Sequence, residues 1–420
     1  MKRRLLSLLM TLGLLLTLAP MAMAVETEEF DTWDGTANVN LAPDSNGIYQ
    51  INTAEDLAQF AVLVNGGQTD ISAELNTGID LNELVFTPIG AYAYKQSTSV
   101  VGNVFEGTFD GKGHVIKNGS ISDAGNIYCM GIFGFVDGGT VKNLTVSEVS
   151  VDNSKSQNEA STGVVIGSLY KGNALNLVAK EGSSAEGINR VGGVIGSVRD
   201  NCTVTDCKNY AEVTGTGMYS GGVIGASHDI DYGLFGLTGA PATITGCYNY
   251  GSVNGNTEVG GIVGYSDQAT ITDCHNSGAV TATGNYGTGG IVGFDAYNPR
   301  GFFYKPNIGS DISECTNSAA ISGGRAAGIV GTLGVTPGND QPSSDKTLTR
   351  ISECTNTGTI NGTSGKCGAI FGYQITYAHG DGAEYINHLV VKITNCTIGE
   401  TVTVNGESVT APTSSAYYTN

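Results

Sequence analysis

Short apolar segments rich in Val and Ile alternate with polar and glycine-rich segments along most of the chain. The clearest segment is Gly260–Gly264, a glycine pair followed by Ile-Val and a further glycine. Similar phrases end at Gly134, Gly167, Gly196, Gly225, Gly264, Gly293, Gly331 and Gly372. These final glycines follow one another at intervals of 33, 29, 29, 39, 29, 38 and 41 residues. Self-similarity at such a loose period is typical of a stacked repeat architecture.

A second phrase, an apolar segment ending in Cys-x-Asn, recurs between the glycine phrases. Its copies are Val204–Asn209, Ile244–Asn249, Ile271–Asn276, Ile312–Asn317 and Ile351–Asn356, with a degenerate copy at Ile393–Cys396. A short β-branched run follows each copy. One repeat therefore predicts three short strands, with turn residues between them and no helical period.

Three short strands in repeats of uneven length favour an all-β fold, a right-handed parallel β-helix or β-solenoid. Each repeat then forms one coil about 4.8 Å from the next, and length differences fall into projecting turns. Handedness follows the usual rule for parallel crossovers. A leucine-rich repeat would need a ladder of leucines, and a propeller would need four regular strands in each blade. Neither pattern is present, and Trp33 is the single tryptophan.

The region before the repeats contains one helical pattern. Leu57, Phe60, Ala61 and Val64 recur at helical spacing, Thr53 is suited to the N-cap, and Gly66 supplies a stop. An amphipathic helix here would cover the open end of the first coil, whose strand edges would otherwise be free to pair with other chains.

Residues 1–24 have the pattern of a secretory signal, with Lys2–Arg4, an apolar stretch and a small-residue cleavage site ending at Ala24. The predicted organisation is a signal peptide at 1–24, an N-terminal cap with the first coils at 25–120, a repeat β-helix at 121–373, and last strands with a C-terminal cap or tail at 374–420. No transmembrane segment is expected after cleavage of the signal.

Several phrases together resemble those of bacterial surface or secreted proteins that carry GLUG-motif repeats. They are Gly78–Leu81, Phe86–Gly90, Phe109–His114 and the glycine phrases. The resemblance implies an exported, adhesin-like bacterial β-helix. The same repeats occur in metallopeptidases that cleave immunoglobulin A. A zincin site needs two histidines four residues apart with a glutamate between them, and the five histidines here are scattered, so the peptidase part is absent.

Charge restricts the partners. The chain has 20 basic and 39 acidic residues, a formal charge of −19, which becomes −22 once the signal is removed. Such an acidic surface disfavours nucleic acid, whose phosphates are bound by Lys and Arg. We expect a monomer without cofactor or metal, secreted or loosely associated with the cell surface, whose ligand is a host or environmental glycan or protein.

Six of the nine cysteines share one phase of the repeat: Cys207, Cys247, Cys274, Cys315, Cys354 and Cys396. Leu144 and Leu177 hold the same slot in earlier repeats, which favours inward packing as small hydrophobes, although bridges between coils stay open. Asn209 and its four equivalents form a second column, suited to hydrogen bonds along the stack.

The residues give one candidate catalytic cluster and one candidate binding face. His228, Asp229 and Asp231, with Arg190 and Arg199 one coil earlier, are the nearest approach to the carboxylates of a polysaccharide lyase or glycoside hydrolase. A solvated acidic loop explains them equally well, so we assign no catalytic residue. Aromatic residues recur in phase at Tyr210 and Tyr250, and at Tyr265 and Phe294. If exposed, these four rings would form a surface for a sugar or a protein, and otherwise they pack under loops or in the core. The sequence thus predicts a non-catalytic binding scaffold, with a glycan-cleaving enzyme as the alternative.

Overall fold

Strands of successive repeats pair in parallel and in register, so the chain winds into stacked coils. The computed structural model describes residues 28–91, 93–95, 99–122, 127–155, 160–228, 240–297, 309–335, 349–376 and 391–409. Val204 pairs with Ile244 and Ile244 with Ile271, which places equivalent residues of consecutive repeats one above another. The prediction of a parallel β-helix is confirmed.

The N-terminal region contains helix α1 (Ala54–Asn65) and six strands. The strands are β1 (Phe30–Thr32), β2 (Ile48–Ile51), β3 (Ser72–Leu75), β4 (Gly78–Asp80), β5 (Ala93–Lys95) and β6 (Ser99–Val101). The side chain of Thr53 accepts from the backbone N–H of Asp56, and the Asp56 carboxylate accepts from the N–H of Thr53. This capping box starts the helix, and Gly66 ends it, as the sequence predicts.

The helix covers the apolar end of the first coils. The ring of Phe60 is fully buried and packs edge-on against Tyr49 and Phe105, at centroid distances of 5.9 and 6.0 Å. Edge-to-face contacts between aromatic rings are favourable at this separation. The apolar face of α1 is thus buried against the solenoid core, and the core does not end in solvent there.

Three early coils follow the cap. Their strands are β7 (Thr108–Asp110), β8 (Val115–Ser122), β9 (Cys129–Met130), β10 (Phe133–Asp137), β11 (Thr140–Asn153), β12 (Ser161–Gly163), β13 (Ile166–Tyr170), β14 (Asn173–Ala179), β15 (Ser184–Gly187), β16 (Val191–Gly192) and β17 (Ile195–Arg199). Leu144 pairs with Leu177, and both side chains are buried at the position that cysteine holds in later coils.

The later coils carry the cysteine and asparagine columns. Their strands are β18 (Thr203–Thr205), β19 (Lys208–Asn209), β20 (Glu212–Gly215), β21 (Met218–Gly221), β22 (Ile224–His228), β23 (Thr243–Thr245), β24 (Tyr248–Asn249), β25 (Val253–Gly255), β26 (Thr257–Gly260), β27 (Val263–Asp267), β28 (Thr270–Thr272), β29 (His275–Asn276), β30 (Val280–Ala282), β31 (Gly287–Gly289), β32 (Val292–Tyr297), β33 (Asp311–Ser313), β34 (Thr316–Asn317), β35 (Ile321–Gly323), β36 (Arg325–Ala327), β37 (Val330–Val335), β38 (Thr349–Ser352), β39 (Thr355–Asn356), β40 (Ile360–Gly362) and β41 (Phe371–Thr376). The last strands are β42 (Val391–Thr394), β43 (Thr397–Ile398), β44 (Thr403–Val404) and β45 (Glu407–Ser408).

The coil from β18 to β22 has five short strands, and the predicted number of three is wrong. The Cys-x-Asn phrase is divided because Asp206, with φ of +56°, bends the chain between β18 and β19. The glycine phrase is divided because Gly222 and Val223 bend the chain between β21 and β22. Backbone bends of one or two residues leave no strong signal in the apolar pattern.

The glycine phrase allows two sheets to pack backbone against backbone. An added Cβ on Gly264 would lie 2.6 Å from the carbonyl oxygens of Gly225 and Ser220. Ser220 belongs to the seven-stranded sheet of β21 and β26, and Gly225 to the eight-stranded sheet of β22 and β27. Side chains larger than hydrogen would therefore push the two sheets apart at this point.

Candidate binding surface

A residue with left-handed backbone precedes the cysteine of each later repeat and sets the direction of the side chains after it. The φ angle is +56° at Asp206, +63° at Gly246 and +53° at Asp273. Glycine, aspartate and asparagine tolerate this conformation better than most residues. After the bend in the second of these coils, Cys247 and Asn249 are buried and Tyr248 and Tyr250 are on the outer surface.

The asparagine column fixes this part of each coil. The Nδ2 group of Asn209 donates to Oδ1 of Asn249 at 2.9 Å, and Asn249 donates in the same way to Asn276 at 2.8 Å. Asn249 Nδ2 also donates to the carbonyl of Gly251 at 3.0 Å, which closes the turn just past Tyr250. Buried amides held by several hydrogen bonds are rigid, so the backbone beneath the outward tyrosines is firmly positioned.

Three tyrosine rings lie parallel above this column. The rings of Tyr210 and Tyr250, in neighbouring coils, stack at a centroid distance of 4.5 Å and an interplanar angle of 8°. Tyr248, in the same coil as Tyr250, lies 6.2 Å away at an angle of 5°. His275 of the next coil lies against Tyr248 at 4.7 Å. We name Tyr210, Tyr248, Tyr250 and His275 the aromatic corner.

The ring of Tyr250 stacks with Tyr210 at 4.5 Å and with Tyr248 at 6.2 Å, yet 44% of the residue's surface remains exposed. Tyr248 pairs with His275 and Asn249 with Asn276, so the position beside Tyr250 in the next coil is that of Ser277. The serine side chain is too short to cover a phenol ring. The aromatic corner therefore has a step next to His275: at the position of Ser277, the coil of His275 has no ring to cover Tyr250.

Polar groups flank this step. His275 Nε2 lies 3.0 Å from Oδ1 of Asp273, and its Nδ1 lies 2.6 Å from the hydroxyl of Thr316. Burial raises the pKa of Tyr248, and the neighbouring Asp273 carboxylate raises it further. Burial also raises the pKa of Tyr210, with a smaller contribution from the neighbouring Tyr250. Both phenols thus stay protonated at neutral pH and can donate hydrogen bonds.

The second predicted pair of rings is arranged differently. Tyr265 and Phe294 stack at 5.9 Å and 5°, and Tyr219 lies over Tyr265 at 4.6 Å. Phe294 is only 4% exposed, and its ring packs so closely on Gly334 that an added Cβ there would clash with it. The prediction of an exposed ring at Phe294 is wrong, because the outer face of β32 is covered. Tyr265 is half-buried.

Tyr248, His275 and Lys208 belong to the same surface and were missed at the sequence level. They share the position between the cysteine and the asparagine, and the Lys208 Nζ lies 5.7 Å from the Tyr248 centroid. Strand alternation on either side of the buried asparagine would have placed this position outward, since inward and outward residues alternate.

The nine cysteines are all buried and form no disulfide, and the six of the ladder pack inward as predicted. Each thiol of the ladder donates to backbone carbonyls, as Cys274 does to Thr272 at 3.4 Å and to Ile244 at 3.8 Å. Burial raises the pKa of Cys207 and Cys274, and it raises the pKa of Cys129 to about 12. Cys129, Cys207 and Cys274 are therefore neither nucleophiles nor ready metal ligands.

A buried glutamate stands out among the acidic residues. Glu258 has φ of +59° and is 8% exposed, and its Oε2 makes no hydrogen bond within the described residues. Desolvation raises the pKa of its carboxyl group from 4.5 to about 7. Glu258 occupies in its coil the position that Tyr219 occupies one coil earlier, because Met218 pairs with Thr257 and Ser220 with Val259.

The candidate catalytic cluster is not assembled by the described residues. Asp229 and Asp231 lie outside them, as does the side chain of His228. Arg199 pairs with His228 through the strands β17 and β22. Among the described residues, no group of three or more His, Cys, Asp or Glu side chains is placed to hold a metal ion.

Comparison with known proteins agrees with the repeat pattern. The family profile described as the GLUG motif matches residues 255–281, from the end of β25 to β30. The chain therefore contains a GLUG motif within its repeats. The matched copy contains the Gly260–Gly264 turn, and strands of the other copies pair with it in register. No curated protein matches the sequence.

A solved structure is similar to this chain. It is that of a candidate immunoglobulin A1 protease from Bacteroides ovatus, with 15% sequence identity and a TM-score of 0.44 over 88% of this chain and 80% of that one. In the described part of the chain, no helix has the length and apolar character needed to span a membrane.

Proposed function

We propose that this protein is exported and acts outside the bacterial cell as a non-catalytic binding protein, with the aromatic corner as its contact for a glycan. The observation that carries the proposal is Tyr250, which stacks on Tyr210 with one face and remains 44% exposed. A rigid, half-exposed ring on a hydrogen-bonded backbone loses little conformational entropy when a ligand binds to it.

The chemistry of the corner suits a pyranose ring. The C–H face of a sugar is apolar and can pack on the exposed surface of Tyr250, while its hydroxyl groups can accept from or donate to neighbouring phenols and the Ser277 hydroxyl. Successive coils repeat the backbone spacing, so a chain of sugars can continue along the solenoid from this step. The acidic charge of −19 favours a neutral glycan over a polyanion.

A glycan array probed with residues 25–420 tests the proposal and identifies a ligand for titration calorimetry. We expect Tyr250→Ala to weaken binding at least about tenfold, since the loss of one stacked ring costs on the order of 1.4 kcal/mol. Met218→Ala is the control, because Met218 is 43% exposed but lies outside the aromatic corner. Equal binding by Tyr250→Ala and the unaltered chain would rule out this surface.

Two further outcomes would contradict the proposal. Release of reducing sugar or unsaturated product from pectin, mucin or glycosaminoglycans would make the protein a polysaccharide lyase or glycoside hydrolase. Export is tested separately by expression of the whole chain in a bacterium. A cell-associated product that retains Met1, in place of a secreted one that begins at Val25, would overturn the assignment of the signal.

A further inference from the structure

A second cluster of aromatic and charged side chains lies on other strands of the solenoid. The guanidinium carbon of Arg325 is 5.6 Å from the ring centroid of Tyr286 and 5.1 Å from that of Tyr373. The Nζ of Lys366 lies 4.1 Å from the same Tyr373 centroid. We name Tyr286, Arg325, Lys366 and Tyr373 the cationic-aromatic cluster.

The two cations are neighbours in the stack. Ala327 pairs with Gly368, so Lys366 occupies in its coil the position that Arg325 occupies one coil earlier. Their backbones are therefore about 4.8 Å apart, the spacing of paired strands. One coil before Arg325 the register position is Gly287, which has no side chain to contact the guanidinium.

Neither cation has an acidic partner in the described residues. By contrast, Lys112, Lys117, Lys142, Lys171 and Arg350 each form an ion pair with Asp or Glu. The Arg325 Nη1 is buried without a hydrogen bond, and the guanidinium is held by ring faces. Two adjacent like charges repel, and an unpaired buried donor is costly, so this arrangement favours an anion that supplies the missing acceptor.

We propose that the cationic-aromatic cluster is a second binding site, for a sugar residue that carries a carboxylate, such as a uronic acid. Arg325 would hold the carboxylate through its free N–H groups, and Lys366 would add a second positive charge on the same side. Tyr286, which is 43% exposed, provides a ring face for the body of the sugar. The site rests on different residues and strands from the aromatic corner.

The size of the cluster decides the class of ligand. Two adjacent cations match one carboxylate, and the surrounding chain is strongly acidic, with 39 acidic residues against 20 basic. A polyanion would meet repulsion on either side of the cluster. A single acidic sugar places its one charge between the cations and its apolar ring face on Tyr286.

The test compares methyl β-glucuronide with methyl β-glucoside, which differ at C6 in the carboxylate, by titration of the mature chain in NMR or calorimetry. We expect the glucuronide to bind at least about tenfold more tightly, the effect of a charge-assisted pair. Arg325→Gln should abolish this preference, and Lys366→Gln should reduce it. Lys392→Gln changes the charge equally at an exposed position elsewhere and should leave the preference intact.

Equal binding of the two glycosides, or no binding of the glucuronide at millimolar concentration, overturns the proposal. So does an unchanged preference in Arg325→Gln that has the circular dichroism spectrum and melting temperature of the unaltered chain. If Arg325→Gln does not fold, Lys366→Gln carries the test. A short glutamate peptide that binds as tightly as the glucuronide would assign the site to acidic peptides. Because Tyr250→Ala should not affect glucuronide binding, failure here is distinguishable from failure at the aromatic corner.

Discussion

The side chain of Asn249 donates a hydrogen bond to that of Asn276, 2.8 Å away in the next coil, and the donor is always the earlier residue. The same bond links Asn276 to Asn317 and Asn317 to Asn356, each at 2.8 Å. These amides are buried, and those of Asn249, Asn317 and Asn356 also donate to a backbone carbonyl of their own turn, as Asn317 does to Ala319. The column thus joins the coils where the outward tyrosines begin.

Replacement of the central amide should destabilise the stack. Asn276→Ala leaves the donor of Asn249 and the acceptor of Asn317 without their partners, and we expect a loss of about 2 to 3 kcal/mol. Asn254→Ala is the control, since Asn254 is exposed on β25 and should change stability by less than about 0.5 kcal/mol. Thermal and urea unfolding of both variants measure the difference. Equal unfolding curves would show that the column does not hold the coils together.

The packing of the two sheets predicts an extreme sensitivity at the glycine turn. Gly264→Ala places a methyl group 2.6 Å from two backbone oxygens that cannot move aside, and we expect a loss of about 3 kcal/mol or more, or no soluble protein. Gly113→Ala meets no atom within 4 Å and strains only a left-handed φ of +89°, so a loss of about 1 kcal/mol is expected. Soluble yield and melting temperature compare the two. A Gly264→Ala protein as stable as Gly113→Ala would refute the close contact.

Glu258 should make stability depend on pH. Its carboxyl pKa is about 7 in the fold against 4.5 when free, so the folded chain binds more protons between these values. The free energy of unfolding therefore falls as pH rises from about 4.5 to 7, by on the order of 3 kcal/mol in all. Above pH 7 the effect of Glu258 no longer changes with pH. Glu258→Gln carries no titrating group and should gain stability over the unaltered chain as pH rises. Urea unfolding at pH 5 and pH 8 measures this gain, and an equal difference at both values would exclude it.

The buried thiols should resist modification. All nine cysteines are buried and free, so iodoacetamide should add no label to the native chain and nine labels to the unfolded one. Reducing agent should leave the melting temperature unchanged. Intact mass spectrometry under non-reducing conditions is the measurement. A mass lower by two hydrogens for any pair of cysteines would reveal a bridge between coils and contradict the ladder of free thiols.

The buried columns could be predicted from the sequence because each requires one kind of side chain. The carboxamide of asparagine offers both the donor and the acceptor that link Asn249 to its neighbours. An apolar side chain fits at the position of Cys274, which leucine holds at Leu144. Selection for one side chain at one phase leaves a repeat that is visible without a structure. The capped helix α1 was likewise predictable, because Thr53 and Asp56 act locally.

The outer surface could not be predicted as completely. The position of Tyr248 holds Lys208, His275 and Thr316 in other coils, so no residue type marks it. The phase that Phe294 shares with Tyr265 does not reveal that the Phe294 ring is buried against Gly334. The cationic-aromatic cluster joins residues of four strands and loops that are separated in sequence, and nothing local connects them.

The common direction of the amide bonds has a consequence for how such a molecule can change in length. Asn249, Asn276 and Asn317 each offer an acceptor to the coil before and a donor to the coil after, so the junctions between Asn209 and Asn356 are chemically equivalent. If residues 249–275 were deleted, Asn209 would donate to Asn276 the hydrogen bond that it now donates to Asn249. Gene duplication or deletion can thus lengthen or shorten the molecule by whole coils, while helix α1 stays at one end.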